Sequence, residues 1–215
     1  MTRPRGVFIT LEGGEGAGKS TLIERLGRAL SRAGLAVRQT REPGGTPLAQ
    51  RVRELVLNPG DGLSWSPLAE ALLMNAARAD HLETLIRPAL EAGAWVLCDR
   101  FMDSTRAYQA AGGASAAFLE DLERQVVGDT PPDLTLVLDA APEALLARRD
   151  ARGGTDAFEA RSLAFHEEVR RAFLDIARQA PDRCVVIDAA QDADAVFQAA
   201  WTAIEARFEL ADAAP

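Results

Sequence analysis

Residues Gly13 to Ser20 read GGEGAGKS and fit the G-x-x-x-x-G-K-[ST] pattern of a phosphate-binding loop. The glycines allow this loop to coil with its backbone N–H groups pointing inward, because glycine tolerates positive φ and has no Cβ. Lys19 places a positive charge beside phosphate oxygens, and the Ser20 hydroxyl is a hard oxygen ligand suited to Mg²⁺. A helix that begins here directs the positive end of its dipole at the phosphates.

The sequence on both sides of the loop has the context that this motif requires. Residues 6–12 (GVFITLE) form a short apolar run typical of a β-strand, and residues 21–30 (TLIERLGRAL) carry apolar side chains at helical spacing. A strand, a glycine-rich turn and a helix in this order is the arrangement expected of a P-loop. A glycine-rich turn without a ligand is therefore the weaker interpretation.

Strand-like and helix-like runs alternate along the rest of the chain. The further strand candidates are 35–41, 94–98, 134–138 and 184–187. A long helical stretch over 68–92 contains Pro88, which should kink or split it, and a charged amphipathic helix is predicted over 157–179. Alternation of this kind predicts right-handed βαβ units, and so an α/β fold with a five-stranded parallel sheet flanked by helices.

Length and composition limit the function classes. The 215 residues suit one α/β domain, predicted to span 1–215. The formal net charge of -8, with no run of basic residues, argues against a nucleic-acid partner. No apolar stretch approaches membrane-spanning length and no secretory h-region precedes the loop, so a cytoplasmic protein is expected. Cys98 and Cys184 lie in apolar runs and are predicted to be buried free thiols.

Three groups of polar residues follow predicted strands, at the edge where ligands bind in open parallel sheets. The P-loop follows the first strand, 41–43 (REP) follows the second, and Asp99 and Arg100 follow the third. Asp99 stands where nucleotide triphosphatases keep a second acidic group for Mg²⁺, with a helix N-cap as the alternative role. Arg100 would add a cation beside the phosphates.

Taken together, the motifs resemble those of the thymidylate kinase family over roughly residues 7–188. They are EGGEGAGKST (12–21), REPGGT (41–46), LLMNAAR (72–78), DRFMDSTRAYQ (99–109), PDLTLVLD (132–139) and an arginine-bearing segment over 148–159. The resemblance implies a P-loop kinase fold with a short mobile lid at about 148–159. It also implies transfer of the γ-phosphoryl group of ATP to dTMP with Mg²⁺. A homodimer built on the apolar face of the helix from Leu68 is implied as well, although simple core packing would give the same pattern.

The resemblance implies that the loop binds ATP and the metal ion. ATP contacts are expected at Gly13, Gly14, Glu15, Gly16, Ala17, Gly18, Lys19, Ser20 and Thr21. Ser20 and Asp99 are the expected Mg²⁺ ligands. Lys19 and Arg100 are predicted to be catalytic, because phosphoryl transfer asks the protein mainly to position groups and to neutralise charge.

The predicted lid contributes further arginines. Family members carry a basic residue either in the P-loop or in the lid; here 14–17 has none, whereas 148–154 (RRDARGG) is basic and glycine-rich. The chain thus resembles the lid-arginine branch, and Arg152 and then Arg149 are the predicted catalytic lid residues. Ala157 stands where many relatives carry arginine, so the choice between the two stays open. A solvated helix end is the alternative interpretation of this segment.

The same resemblance implies a dTMP pocket. Glu15 resembles the carboxylate that contacts the sugar hydroxyl, and Arg41 and Arg100 resemble the arginines that meet the monophosphate. Arg78 resembles the arginine that reaches a thymine carbonyl, and Tyr108 the tyrosine under the sugar that disfavours a 2′-hydroxyl. The remaining residues predicted to line the base pocket are Met74, Ser104, Thr105 and Gln109.

Two other functions stay open from the sequence. Met74 stands where family members often place a phenylalanine against the base, so selection of dTMP over dUMP is undetermined and a kinase for another nucleoside monophosphate or nucleoside is an alternative. A non-catalytic nucleotide-binding module is the other, although it would not need Lys19, Ser20, Asp99 and Arg100 together. His81 and His166 lie in helical runs and are predicted to have no catalytic role.

Overall fold

The computed structural model describes residues 5–150, 161–208 and 210, except for the side chains of residues 149 and 150. One parallel sheet has the strand order β2-β3-β1-β4-β5. Its strands are β1 (Phe8–Gly13), β2 (Val37–Arg41), β3 (Trp95–Asp99), β4 (Leu134–Asp139) and β5 (Cys184–Asp188). The predicted α/β architecture with five parallel strands is confirmed. The strand that carries the P-loop lies at the centre, between β3 and β4.

Helices connect the strands and cover both faces of the sheet. They are α1 (Lys19–Arg32), α2 (Pro47–Leu57), α3 (Pro67–His81), α4 (Arg87–Glu91), α5 (Met102–Ala111), α6 (Ala116–Val127), α7 (Pro142–Asp150), α8 (Leu163–Gln179) and α9 (Ala193–Arg207). Side-chain oxygens cap several N-termini; Thr46 accepts from Ala49 N, and Ser66 accepts from Ala69 N. No helix in the described part of the chain has the length and apolar character needed to cross a bilayer.

Successive residues of the central strands point to opposite faces, and both faces are buried. Ile9 and Leu11 of β1 pack with α1 and α9, whereas Phe8 packs on the other face. On β4, Val137 packs against α5 and α8. The two predicted buried free thiols are confirmed. A sheet buried on both faces leaves only its strand ends for ligand binding.

The predicted helix over 68–92 differs in its interior. α3 ends at His81 and a π-helical turn follows over Leu82–Ile86, in which the Arg87 N–H bonds to the Leu82 carbonyl five residues back; α4 then continues. Pro88 has no N–H to donate and its ring crowds the preceding turn, and the wider π turn accommodates it without ending the helix. Leu82 and Leu90, on either side of Pro88, are both buried in the same apolar cluster.

Two predicted boundaries also shift. The second strand begins at Val37 rather than at residue 35, because Gly34 (φ 80°) and Leu35 still belong to the turn that ends α1. The helix predicted over 157–179 is described from Leu163, where Ser162 accepts a hydrogen bond from Phe165 N. Residues 157–160 of that prediction lie outside the described residues.

Candidate active site

The carboxyl ends of β1, β2 and β3 open on a cavity of about 230 Å³. Every residue predicted to bind the substrate lines this cavity, together with much of the P-loop and with Asp99. Glu42 and Pro43 of the predicted strand-end group 41–43 also line the cavity, and the lining residues for which the sequence analysis predicted no role are Arg53, Leu57 and Phe101. The parallel sheet therefore brings the three predicted strand-end groups together in one place.

The P-loop has the geometry of an anion site. Gly16 has φ 81°, and a Cβ there would lie 2.3 Å from the Leu145 carbonyl oxygen, so a side chain is excluded on two grounds. Gly18 occupies the N-cap position of α1 with φ 88° and provides no side-chain cap. The first N–H groups of α1 are consequently left for a ligand, and the helix dipole favours an anion there.

Lys19 is buried at the base of the loop. Its Nζ donates to the carbonyls of Gly13 (3.1 Å) and Gly14 (2.9 Å). Burial lowers the pKa of Lys19, and the nearby Arg100 charge lowers it further, while Asp99 acts in the opposite direction. A phosphate in the loop would supply the negative charge that favours the ammonium form.

Ser20 and Asp99 meet as the sequence predicts. Ser20 Oγ donates to Asp99 Oδ2 at 2.8 Å, and Asp99 Oδ1 is buried with no hydrogen-bond partner among the described residues. The alternative role of Asp99 as a helix cap is not observed, because Phe101 occupies the N-cap position of α5 and the N–H groups of Phe101 and Ser104 donate to Glu12. A hydroxyl and a carboxylate with a buried, unpartnered oxygen form a donor pair suited to Mg²⁺.

This donor pair also fits the way Mg²⁺ binds. Within residues 5–150, 161–208 and 210, no group of three or more His, Cys, Asp and Glu side chains is placed to hold a metal ion. Mg²⁺ generally takes one or two protein ligands and completes its octahedron with water and phosphate oxygens. Ser20 and Asp99 beside the P-loop satisfy that requirement.

Arg100 is fixed by four hydrogen bonds around the cavity. Nη1 donates to the Gly13 carbonyl and Ser104 Oγ (both 3.0 Å), and Nη2 donates to Glu15 Oε1 (2.6 Å) and the Tyr108 hydroxyl (3.2 Å). Its backbone has φ 69°, a left-handed conformation that costs a non-glycine residue roughly 1–3 kcal/mol and persists where the surroundings determine it. The backbone strain therefore occurs at the residue that joins the P-loop to the part of the cavity predicted to bind dTMP.

Arg100 and Glu15 stabilise each other's charged forms. Burial would raise the pKa of Glu15, but the positive charges of Arg100 and Lys19 outweigh it and lower that pKa to about 2. Burial acts to lower the pKa of Arg100, yet Glu15 raises it overall. Burial raises the pKa of Tyr108, so its hydroxyl stays protonated. The carboxylate, guanidinium and phenol thus keep fixed protonation states across the physiological range.

Glu12 is a further acidic group that the sequence interpretation missed. It is fully buried behind the cavity, where Oε1 accepts from the Phe101 N–H (2.8 Å) and Oε2 accepts from the Ser104 hydroxyl (2.6 Å). Ser104 Oγ in turn accepts from Arg100, so Glu12 supports the arginine through one hydroxyl. A carboxylate inside an apolar strand is itself an unusual signal, and it could have marked this residue.

Burial, followed by the charge of Asp103, raises the pKa of Glu12 from 4.5 to about 7. The folded state then binds more protons than the unfolded state between these values, so this group's contribution to stability falls as pH rises from about 4.5 to about 7. We expect E12Q to remove up to about 3 kcal/mol of that pH dependence, because glutamine is uncharged in both states. Urea unfolding of both proteins at pH 5 and pH 7.5 measures the difference, and parallel profiles would contradict the prediction.

Arg78 lies in a buried polar network at the far wall. Nε donates to Glu42 Oε2 (2.7 Å), Nη1 to Asn75 Oδ1 (3.1 Å) and Nη2 to Thr105 Oγ1 (3.0 Å). A guanidinium has five N–H donors, so two remain after these three bonds. Arg78 lines the cavity and can therefore donate to a ligand from a fixed position.

His81 supports this network from behind, which the sequence did not indicate. It is fully buried at the end of α3, with Nδ1 3.0 Å from Glu42 Oε1 and Nε2 2.7 Å from Thr40 Oγ1. A close approach of Gly45 completes the packing, because a Cβ at that glycine would lie 2.4 Å from His81 Nε2. The small residues of the REPGGT motif thus allow the histidine to reach Glu42.

Two arginines lie toward the open side of the cavity. Arg41 is exposed at the end of β2, and no hydrogen bond or ion pair joins its side chain to the rest of the described chain. Arg53 on α2 donates to the Pro43 carbonyl (3.0 Å) and was missed, because no motif marks it and it enters the site only when α2 packs over the cavity. Both cations are placed to meet an anionic ligand.

The predicted lid is only partly visible. Arg152 lies outside the described residues, and so does the side chain of Arg149, so the predicted catalytic lid residues are not placed. Arg148 donates to the carbonyls of Ala189 (2.7 Å) and Ala190 (3.2 Å) and is thereby joined to the loop after β5. The N-terminal end of the basic segment is thus anchored beside the P-loop side of the sheet.

Comparison with known proteins identifies a family. Residues 11–200 match the family model described as thymidylate kinase. A thymidylate kinase from Caulobacter vibrioides is 56% identical over 207 residues, covering 96% of this chain and 99% of that protein. One from Pseudomonas fluorescens is 56% identical over 187 residues, covering 86% and 89%. The crystal structure of thymidylate kinase from Ehrlichia chaffeensis superposes with a TM-score of 0.75 and 34% identity over 94% of this chain and 99% of that one.

Proposed function

Because the chain belongs to the thymidylate kinase family, we propose that its cavity holds the two substrates of that reaction end to end. The enzyme is a phosphotransferase with a P-loop kinase fold, and it phosphorylates dTMP to dTDP with ATP. One observation carries the proposed site: six of the nine residues expected for ATP and all of those expected for dTMP line the same cavity, while Gly13, Gly14 and Ala17 do not. One continuous cavity is what direct, in-line transfer between two nucleotides requires.

The P-loop side of the cavity binds the ATP phosphates in this proposal. The open N–H groups of α1 hold the phosphate oxygens, and Lys19 moves from the Gly13 and Gly14 carbonyls to the β- and γ-phosphates. Ser20 and Asp99 would hold Mg²⁺, which neutralises charge on the phosphate oxygens when it is bound. All of these groups lie in the loop and first helical turn that follow β1, or at the end of β3.

The opposite side binds the dTMP monophosphate and sugar. Arg100 and Arg41 orient the monophosphate, and Arg53 adds a further cation on the same wall. Glu15, held as a carboxylate, accepts a hydrogen bond from a sugar hydroxyl. The ring of Tyr108 packs beneath the sugar and leaves little room for a 2′-hydroxyl.

The base end is formed by buried polar groups and a thioether. Arg78 donates to a thymine carbonyl from its fixed position, and Ser104, Thr105 and Gln109 line the same region. Met74 is half-buried and packs on the base, as a polarizable thioether can. Its looser fit gives the pocket only modest selectivity for the thymine methyl group.

We propose that Arg152 and Arg149, whose side chains lie outside the described residues, act on the transferring phosphoryl group as part of a lid at about 148–159, within one domain over 1–215. Closure would exclude water and so limit wasteful hydrolysis of ATP. A lid arginine of this kind is worth ~10³-fold or more in rate, by analogy with arginine fingers. The enzyme acts in the cytoplasm, where its two substrates are metabolic intermediates.

The decisive experiment is coupled ADP release with ATP and Mg²⁺, comparing dTMP, dUMP, the ribose form of TMP, dCMP and dGMP. Turnover should be fastest with dTMP, with dUMP behind by about 10–200-fold, because one methyl group supports only about 1–3 kcal/mol of discrimination. Preference for another monophosphate would support a different nucleotide kinase. ATP binding without turnover on any monophosphate would leave a nucleotide-binding module.

A homodimer is the proposed assembly, and exposed leucines on α2 and α3 support it. Leu68 and Leu72 of α3 are 51% and 49% exposed, and Leu48 and Leu55 of the neighbouring α2 are 60% and 46% exposed. Core packing would have buried these side chains, so it does not explain them. A second copy seated on this face would remove all four from water.

We expect L72E to raise the dissociation constant of this dimer by about 100-fold or more, because a charge would be buried without a partner in the interface. Sedimentation velocity across a concentration series measures the constant. The matched control is V186E, which changes a 46% exposed valine on β5, the edge strand at the opposite end of the sheet from β2. Equal sedimentation of L72E and the unmodified protein would overturn the assignment of the interface.

A further inference from the structure

Glu70 lies behind the base end of the cavity, and no role follows for it from the P-loop, metal or phosphate groups. It is in the first turn of α3, its residue is 5% exposed, and its two carboxylate oxygens have different partners. Oε2 accepts from Gln109 Nε2 at 3.3 Å, and Oε1 accepts from Arg161 Nη2 at 2.6 Å. We infer that Glu70 is a positioning residue for base selection, because it turns the Gln109 amide so that its carbonyl oxygen faces the cavity.

The orientation follows from what each group can donate and accept. A carboxylate paired with a guanidinium offers acceptors only, so the end of the Gln109 amide that meets Glu70 must be its NH₂ group. Gln109 lines the cavity, and no part of the described chain donates to its side-chain oxygen Oε1. That oxygen is therefore available as an acceptor toward the ligand.

Arg78 provides the complementary half of this recognition. Its guanidinium can only donate, and Glu42, Asn75 and Thr105 fix it in place. A fixed donor beside a fixed acceptor matches a pyrimidine edge with a carbonyl at C4 and a proton on N3. Cytosine presents an amine donor and an unprotonated N3 there, so both contacts would be mismatched. The inference rests on the proposed dTMP pocket and extends it to a discrimination between 4-oxo and 4-amino pyrimidines.

Arg161 fixes Glu70 from the other side. Its guanidinium lies 4.7 Å from the centre of the Phe165 ring, and that ring is 6.1 Å from the ring of Tyr108. Glu70 is thus held between an arginine packed on α8 and an amide on α5, and it has little freedom to rotate. A glutamine in its place could donate or accept, and Gln109 would then populate both amide orientations.

The test compares E70Q and R161Q with a matched control, E123Q. Glu123 of α6 forms an ion pair with Arg106, one turn before Gln109 on α5, and does not line the cavity. For each protein we would measure kcat and KM with dTMP, dUMP and dCMP, the dTMP dissociation constant by calorimetry, and the thermal midpoint. Comparison of dUMP with dCMP isolates the C4 and N3 edge from the methyl group.

For E70Q we expect the KM for dTMP to rise about tenfold with kcat nearly unchanged, since a base contact is made equally in the ground and transition states. The ratio of kcat/KM for dTMP over dCMP should fall about tenfold, while the dTMP over dUMP ratio stays constant. R161Q should shift the same ratio by about threefold, and E123Q should leave it unchanged. If E70Q does not fold, the dTMP over dCMP ratio of R161Q tests the positioning role instead, and an unchanged ratio would overturn it.

An unchanged dTMP over dCMP ratio in E70Q, or an equal loss for all three substrates, would overturn the positioning role. Failure of the underlying pocket is distinguishable from this. It would be seen in the unmodified enzyme as a lack of preference for dTMP, or as a Q109A variant whose KM for dTMP is unaltered.

Discussion

Replacement of Arg100 by alanine is expected to lower kcat/KM for dTMP phosphorylation by ~10³-fold or more, equivalent to about 4 kcal/mol of transition-state stabilisation. Arg100 joins the P-loop carbonyl of Gly13 to Glu15, Ser104 and Tyr108 on the dTMP side. Its removal takes away the buried cation between two polyanionic substrates. It also leaves the Glu15 carboxylate without its main partner in a mostly buried position.

Lysine at the same position should recover only part of the activity. R100K keeps the positive charge but has three donors on one nitrogen, which cannot reach four acceptors spread around a planar group. Steady-state kcat and KM for dTMP are measured for R100A, R100K and the unmodified enzyme. The control is R25A, which removes an arginine that pairs with Asp194 and packs on Phe197 at the surface between α1 and α9.

Loss of activity must be separated from loss of folding. Removing one partner of a buried ion pair destabilises by about 3–5 kcal/mol, since the other charge stays buried and unpaired. The double variant E15Q/R100M removes both charges together and should recover most of the stability without recovering turnover. An R100A enzyme with the activity of R25A would show that Arg100 has no part in transfer.

The sequence was sufficient to predict those site residues that belong to short, continuous motifs. Gly13–Ser20, the residues after β2 and the residues after β3 were each recognisable locally, and the parallel sheet then required them to meet. The Ser20–Asp99 contact spans 79 positions, yet it was predictable, because Asp99 ends β3 and Ser20 follows the loop at the end of the adjacent parallel strand β1.

Residues whose role depends on a partner from another helix were not predictable in this way. Arg53 enters the site only through the packing of α2, and His81 has a role only because Glu42 faces it. Glu70 is an ordinary acidic residue in the sequence, and only its burial beside the Gln109 amide indicates a role. Glu12 stands out as a carboxylate in an apolar strand, but its partner Ser104 comes from another element. Such contacts come from tertiary packing, and neither periodicity nor motif spacing encodes them.

Pro88 shows how packing shapes the way a helix responds to a proline. Proline does disturb the helix, but the response is a π turn over Leu82–Ile86 that keeps the helix continuous. Burial of Leu82, Ile86 and Leu90 in one cluster decides between these outcomes, since a break would expose them. Core packing therefore overrides the local preference of the backbone.

Lys19 is the only lysine among the 24 basic residues of the chain, the other 23 being arginine. We expect K19M to lower kcat by ~10³-fold with little change in the KM for dTMP, because the ammonium acts on the ATP phosphates and not on the acceptor. K19R should restore little of this activity. A planar guanidinium is larger than the compact ammonium that fits against the Gly13 and Gly14 carbonyls.

Although K19M should lower activity, it should not lower the free energy of unfolding. Burial lowers the pKa of Lys19 in the folded state, so the charged form is disfavoured there relative to the unfolded chain, and this contribution to stability increases as pH rises toward the ordinary lysine value. Methionine removes that penalty and packs well, so K19M should be at least as stable as the unmodified protein in urea at neutral pH. A variant that loses both activity and stability would indicate a structural role for the lysine.

The single lysine also allows a test without mutation. An amine-specific reagent can modify only Lys19 and the N-terminal amine, and mass spectrometry separates the two products. ATP should slow the reaction at Lys19 and leave the terminal amine unaffected, because a bound phosphate engages Nζ and closes the loop over it. Equal protection by dTMP alone would place the monophosphate, and not ATP, at this end of the cavity.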